Sequence, residues 1–382
     1  MIRSLDRRGF IGRAALIAGV AFVPRIAFAI VPTDRRFIFI IQRGAADGLN
    51  IVVPYADPAY RALRGALSID PTEATKLDGT FALHPAMSTI GGMYGENQAL
   101  FVHAVASPYR DRSHFDGQNV LETGGSKPYA IKDGWLNRLA SLVAGPHEAA
   151  IALAPTIPMA LRGSTPVTSY APSNFHEPSD DLIARVGQLY DADEQLHPLW
   201  SAALDARTIG EGVTKEKGAA ALGSLTAAFL TKPEGPRIAM VETAGWDTHN
   251  AQEGRLAAQL KSLDALVAAL RTGMGADWSK TTVLVATEFG RTAAANGTGG
   301  TDHGTGSVAM LLGGAVRGGR VVADWPGLAT ASLLDARDLR PTNALDAMIA
   351  GAAAESLALD PELAGRRIFA SISQRPITGL IA

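Results

Sequence analysis

The chain has 382 residues, 47% of them hydrophobic and 19% charged, with a formal net charge of −2, 40 glycines, 21 prolines and no cysteine. That composition is globular and excludes disorder, collagen and coiled coil as the main reading. Without cysteine there are no disulfides, no thiolate nucleophile and no Cys-ligated zinc, so a metal must be held by His, Asp, Glu, Asn or hydroxyl groups.

At the amino end, residues 1–29 combine a basic region, a short apolar stretch and a small-x-small end at Ala27-Phe28-Ala29. These are the parts of a cleavable secretory signal. Arg7-Arg8 followed by Gly9-Phe10-Ile11 is similar to a twin-arginine (Tat) signal, which exports folded proteins and implies a periplasmic or secreted product. The apolar stretch from Ala14 to Val23 is too short to span a bilayer, and no later segment is long enough, so no stable membrane span is expected. Cleavage removes five arginines and one aspartate, leaving 30 basic against 36 acidic residues. That balance offers no clustered basic face, so no nucleic-acid partner is expected.

Residues 30–382 read as a single α/β domain. Apolar runs at 37–41, 99–106, 148–154, 237–243, 281–288 and 307–314 have the pattern of strands buried on both faces of a parallel sheet. Helix-like stretches lie between several of them. The clearest is 252–272, where Leu256, Leu260, Leu263, Leu266 and Leu270 recur at spacings of three and four. Strands alternating with helices predict a three-layer fold, a central mostly parallel sheet with helices on both faces. The stretch 163–235, rich in Pro, Ser and charge early and helix-like later, reads as a cap-like insertion.

Ligands of such sheets bind beyond the carboxyl ends of the strands. After 37–41 come Gln42, Arg43, Asp47 and Asn50. His103 lies near the end of the next run, followed by Arg110, Asp111, Arg112, Ser113, His114 and Asp116. Glu242, Asp247 and His249 follow 237–241, Glu288 and Arg291 follow 281–287, and Asp302 and His303 precede 307–312. Four of the eight histidines fall in these places with a carboxylate nearby, which points to a polar, metal-containing site built from several strand ends. His84, His147, His176 and His197 sit in Pro-flanked loop or helix-start contexts and read as structural or exposed.

Each motif also has a plainer reading. Asp247-Thr248-His249 is either a ligand pair or a helix-capping start. Glu288 needs a partner at a strand end, and either Arg291 or a cation serves. Ser113 is either a helix N-cap or, with His114, a nucleophile or ligand at a helix N-terminus, where the dipole favours an anionic substrate.

The segments "FIIQRGAADGLNIVVPY", "HAVASPYRDRSHFDGQNVLETG", "DGWLNRL", "ETAGWDTHN", "TEFGRTAAANGTGGTDHGTGS" and "LLGGAVRGGRV" resemble the domain of unknown function 1501 family. The resemblance covers nearly the whole chain after the signal. It implies Tat export and an alkaline-phosphatase-like (sulfatase-like) fold with two metals at the strand ends and hydrolysis of phosphate or sulfate esters. It also implies an exported protein partner encoded nearby. Position by position, His303 resembles the histidine that binds the first metal before a late strand. Asp247 and His249 resemble the residues that complete that site, at a closer spacing than is usual. Glu288 takes the place of an aspartate of the second metal, with Arg291 where a histidine is usual. Gln42 or Arg43 stands where the first strand normally supplies an aspartate, with Asp47 a few residues on.

The expected function is therefore a metal-dependent hydrolase of phosphate or sulfate esters. A divalent ion (Zn, or else Mg, Mn or Ca) is expected on Asp247, His249 and His303, with Asp302, Glu288, Asp47, Asp116 and His103 as further candidate ligands. Ser113, His114 or a metal-bound water is the candidate nucleophile, and Arg43, Arg112 and Arg291 are candidates to hold a small anionic substrate. The alternative is a non-catalytic scaffold that binds an anionic envelope ligand or a protein partner.

Overall fold

The computed structural model describes residues 31–144, 149–171, 180–191, 218–369 and 374–382, with residues 193, 196, 197, 200, 201, 203, 204, 208 and 372 besides. The signal segment, His147 and His176 lie outside the described residues.

Nine strands form the main sheet: β1 (Arg36–Arg43), β2 (Ala99–Ala106), β3 (Ala150–Leu153), β4 (Thr168–Ser169), β5 (Ile238–Ala244), β6 (Thr281–Thr287), β7 (Ser307–Leu312), β8 (Arg320–Val322) and β9 (Asn343–Ala344). Their order is β8-β2-β7-β6-β1-β5-β3-β4, with β9 also paired to β2. The apolar runs expected as strands are thus strands. Every pairing is parallel except those of β7 with β6 and β2. The segment 288–306 between β6 and β7 contains no helix to cross the sheet, so β7 has to turn back antiparallel. Its amino end therefore lies where the other strands have their carboxyl ends.

Alternation along β1 sets the layers. Phe37, Phe39 and Ile41 pack on one side with helices α3 (Trp135–Ala140), α6 (Leu345–Ser356) and α7 (Pro361–Ile368). Ile38 and Ile40 pack on the other side with α1 (Ser88–Gly95), α4 (Ala219–Leu230) and α5 (Gln252–Met274). Both faces are buried, which is why β1 reads as a continuous apolar run. In α5 the five spaced leucines are all buried, each contributing about 2 kcal/mol by removal from water. The stretch 163–235 contributes the edge strand β4 and the core helix α4, besides a helix at Asp180–Tyr190. No described helix is long and apolar enough to cross a membrane.

Candidate metal centre

The loops at this common edge bring together residues from four parts of the chain. His114 opens helix α2 (His114–Thr123), Asp247 and His249 follow β5, Glu288 and Arg291 follow β6, and His303 precedes β7. Two short backbone pairings fix the last two segments: Arg291 bridges His303, and the Gly290 and Gly304 amides bond to the Thr305 and Gly290 carbonyls at 2.9 and 2.8 Å. Gly44 has φ +122°, and a Cβ there would lie 2.6 Å from the Asp247 nitrogen, so only glycine lets β1 pass this close.

Three imidazoles face one carboxylate. Asp247 lies 3.0 Å from His249 Nε2, 3.3 Å from His303 Nε2 and 3.5 Å from His114 Nε2, and the two Nε2 atoms of His249 and His303 are 3.0 Å apart. The opposite nitrogen of each ring is engaged. His303 Nδ1 meets the Arg112 carbonyl at 2.9 Å, His114 Nδ1 meets Glu288 Oε1 at 2.8 Å, and His249 Nδ1 meets Asp302 Oδ1 at 3.2 Å. A carbonyl or carboxylate oxygen only accepts, so each Nδ1 carries a proton, and by the same rule each Nε2 facing Asp247 either carries a second proton or offers a lone pair to a cation.

Lone pairs crowded on a carboxylate repel one another unless a cation lies among them. The His114 Nε2 atom is buried and has no hydrogen-bond partner among the described residues, as a cation there would require. Two donor atoms bonded to one tetrahedral ion at about 2.0 Å lie roughly 3.3 Å apart, close to the separations seen. His114, Asp247 and His303 have ligand atoms all within 4.8 Å of one another and can hold a metal ion, with His249 beside His303. The His114, His303 and Asp247 side chains are 23%, 25% and 42% exposed, so the group is open on one side. An open side is what a catalytic, rather than a structural, metal needs.

Glu288 has no exposed surface. It accepts from the Gly44 amide (2.8 Å), Thr287 Oγ1 (2.9 Å), Gln118 Nε2 (3.1 Å) and His114. Burial pushes its pKa up, but the His114 and Gln118 hydrogen bonds outweigh that and hold it below the ordinary value. The same hydrogen bond, donated by His114 to Glu288, raises the His114 pKa against burial. Burial lowers that of His303. For Asp247 burial works upward, and Arg291, whose Nη1 donates at 2.6 Å, brings the net pKa below the usual carboxylate value.

Other expected site residues are engaged elsewhere. Asp47 is gripped by the buried Arg64, with Nη2 at 3.0 Å, and by Gln252. His103 is fully buried, donating from Nε2 to the Val52 carbonyl and accepting the Ala104 amide, so both nitrogens are taken and no lone pair remains for an ion. Asp116 faces Tyr109 Oη at 3.5 Å. Asp302 orients His249. Arg43 pairs with Glu122 and Glu242, and Arg112 with Asp335 and Asp338. Arg112 has φ +59°, which turns its carbonyl to His303 while its side chain leaves for Asp338. Ser113 occupies the N-cap position of α2, yet its hydroxyl makes no capping hydrogen bond.

Sequence reasoning missed Gln118 and Phe289. Gln118 joins Arg43 Nη1 (2.8 Å) to Glu288, and Phe289 stacks on His114 with centroids 5.1 Å apart. The signal for Gln118 was its place four residues after His114, on the same helix face.

The family described as "Protein of unknown function (DUF1501)" matches residues 34–348. The chain belongs to the DUF1501 family. No curated protein matches it. Solved structures similar to this DUF1501 chain include the C-terminal periplasmic domain of EcEptC from Escherichia coli in complex with Zn, at 9% identity, 75% of this chain, 77% of that one and a TM-score of 0.38. The lipoteichoic acid synthase LtaP from Listeria monocytogenes is similar at 8% identity over 73% of this chain and 62% of that one, with a TM-score of 0.36. Phosphonate monoester hydrolase of Agrobacterium radiobacter is similar at 11% identity, 75% and 70% coverage, and a TM-score of 0.31.

Proposed function

We propose that this DUF1501 protein is an exported, divalent-metal-dependent hydrolase of phosphate or sulfate esters. The observation that carries the reading is the convergence of the His114, His249 and His303 Nε2 atoms on the Asp247 carboxylate at an open edge, with the buried His114 Nε2 left without a hydrogen-bond partner among the described residues. Twin-arginine-like residues 1–29 support the export half.

His114, Asp247 and His303 hold the ion, and His249 extends the group. A bound divalent cation supplies Lewis-acid polarisation of the ester oxygen and lowers the pKa of water. The chain does the rest. Glu288, Asp302 and the Arg112 carbonyl fix the three imidazole tautomers, which keeps each Nε2 aimed inward. Arg291 offsets the charge of Asp247. Ser113 is one residue from His114 with a hydroxyl free of capping duty, and it is the candidate nucleophile.

The test is elemental analysis of purified full-length protein, followed by turnover of aryl phosphate and aryl sulfate. About one divalent ion per chain, lost in His303→Ala and His114→Ala, is expected. Metal-free protein whose thermal midpoint ignores chelator overturns the reading. A second reading, a scaffold that binds an anion without turning it over, is favoured by one observation: Arg43, Arg112 and Arg291 are all paired with carboxylates. Metal present with no turnover of either ester supports it.

A further inference from the structure

Several arginines reach the polar edge of the sheet, and the carboxylates around them decide which is free to take an anion. Arg43 is held by Glu122 and Glu242, Arg112 by Asp335 and Asp338, Arg291 by Asp247 and Arg337 by Asp338. Arg110 differs. Its Nη1 donates to the carbonyls of Ser107 and Tyr109, the latter at 2.7 Å, and among the described residues no carboxylate pairs with it. A guanidinium has five N–H donors, so the fork of Nε and Nη2 is left without a protein acceptor on an exposed residue.

The loop carrying Arg110 is tied to the metal group on both sides. Ser107 Oγ donates to the Glu288 carbonyl at 3.4 Å, and the Arg112 carbonyl accepts from His303 Nδ1 at 2.9 Å. Arg110 lies between these two anchors, three residues before Ser113. Burial of its stem and the neighbouring Arg112 charge both disfavour its own charge and lower its pKa. An anion seated on it offsets both by pairing with the charge.

We propose that Arg110 grips the charged oxygens of the substrate beside the His114–Asp247–His303 group. The substrate is then an ester that keeps at least one ionised phosphate or sulfate oxygen, held by the planar fork of this guanidinium. Arg43, Arg112 and Arg291 have a different duty, neutralising carboxylates and holding the loops. The proposal rests on the hydrolase reading above.

The experiment titrates inorganic phosphate and inorganic sulfate into the full chain, both zinc-loaded and chelator-treated, by calorimetry. Wild type is compared with Arg110→Ala, Arg110→Lys and, as a control, Arg162→Ala, an exposed arginine whose side chain donates to the Ile157 carbonyl. Arg110→Ala is expected to weaken phosphate by roughly tenfold or more, since a charge-assisted fork is lost. Arg110→Lys should fall between, because it keeps the charge and loses the fork, while Arg162→Ala stays at the wild-type value. Zinc uptake should be unchanged in all three. Intact zinc uptake with unchanged phosphate affinity in Arg110→Ala overturns the proposal alone. Phosphate binding that needs Arg110 in a chain that takes up no divalent ion overturns the metal reading and supports the anion site. A wild type that binds neither overturns both.

Discussion

His114 Nδ1 lies 2.8 Å from Oε1 of Glu288, a carboxylate with no exposed surface that takes three further hydrogen bonds. The residue expected from sequence as a second-metal ligand is thus built to orient an imidazole. Glu288→Gln keeps the size and removes the charge that fixes the His114 tautomer, so zinc affinity should fall about 10- to 100-fold in a competition titration. Glu288→Ala also strands the Gly44 amide and Gln118, and should cost about 3 kcal/mol in urea unfolding. Wild-type zinc affinity in a folded Glu288→Gln protein would contradict this assignment.

Asp47 and Arg64 form a buried ion pair, completed by Gln252. Removing one partner leaves an uncompensated charge inside the protein. Asp47→Ala is expected to lose about 3–5 kcal/mol of stability while retaining the metal in whatever fraction folds. Loss of metal from a folded Asp47→Ala protein would return Asp47 to the ligand set.

Burial lowers the His103 pKa to about 4, against the weaker upward pulls of the Val52 carbonyl and Asp47. The unfolded chain, with an ordinary histidine near 6.5, binds the proton first. Stability contributed by this neutral ring is therefore complete above about pH 6.5, declines as pH falls, and levels off below about 4, a loss of about 3 kcal/mol. His103→Gln should flatten that part of the stability–pH curve, measured by urea midpoints from pH 7 to pH 4. An unchanged slope would mean that His103 is not the group responsible.

Gln42 is fully buried at the end of the central strand, and among the described residues neither polar atom of its side-chain amide has a partner. Replacing it with an apolar side chain of similar length removes two unsatisfied groups at little cost in packing. Gln42→Met should leave stability unchanged or raise it by about 1 kcal/mol. A marked loss would show that buried water satisfies the amide in the native protein.

Much of the fold was legible in the chain because burial on both faces makes strands such as β1 and β6 uninterrupted apolar runs, and because α5 repeats leucine at helical spacing. The site was legible in part. Asp247, His249 and His303 follow or precede those runs, so their position beside the sheet edge was readable. His103 shows the limit: it too lies near a strand end, but its ring turns into the core, where Phe81 and Trp325 pack on it. Sequence position does not encode which way a side chain points once the strand has twisted and bulged.

Sequence by itself thus determined the layered α/β plan, the family and the short list of histidines and carboxylates. Tertiary structure alone decided their partners. The reversal of β7 carries His303 to the same edge as Asp247, and the left-handed backbone at Arg112 presents a carbonyl to it. Whether a carboxylate binds an ion, an arginine or an imidazole depends on which charge lies within about 3 Å, a distance set by contacts between residues far apart in the chain.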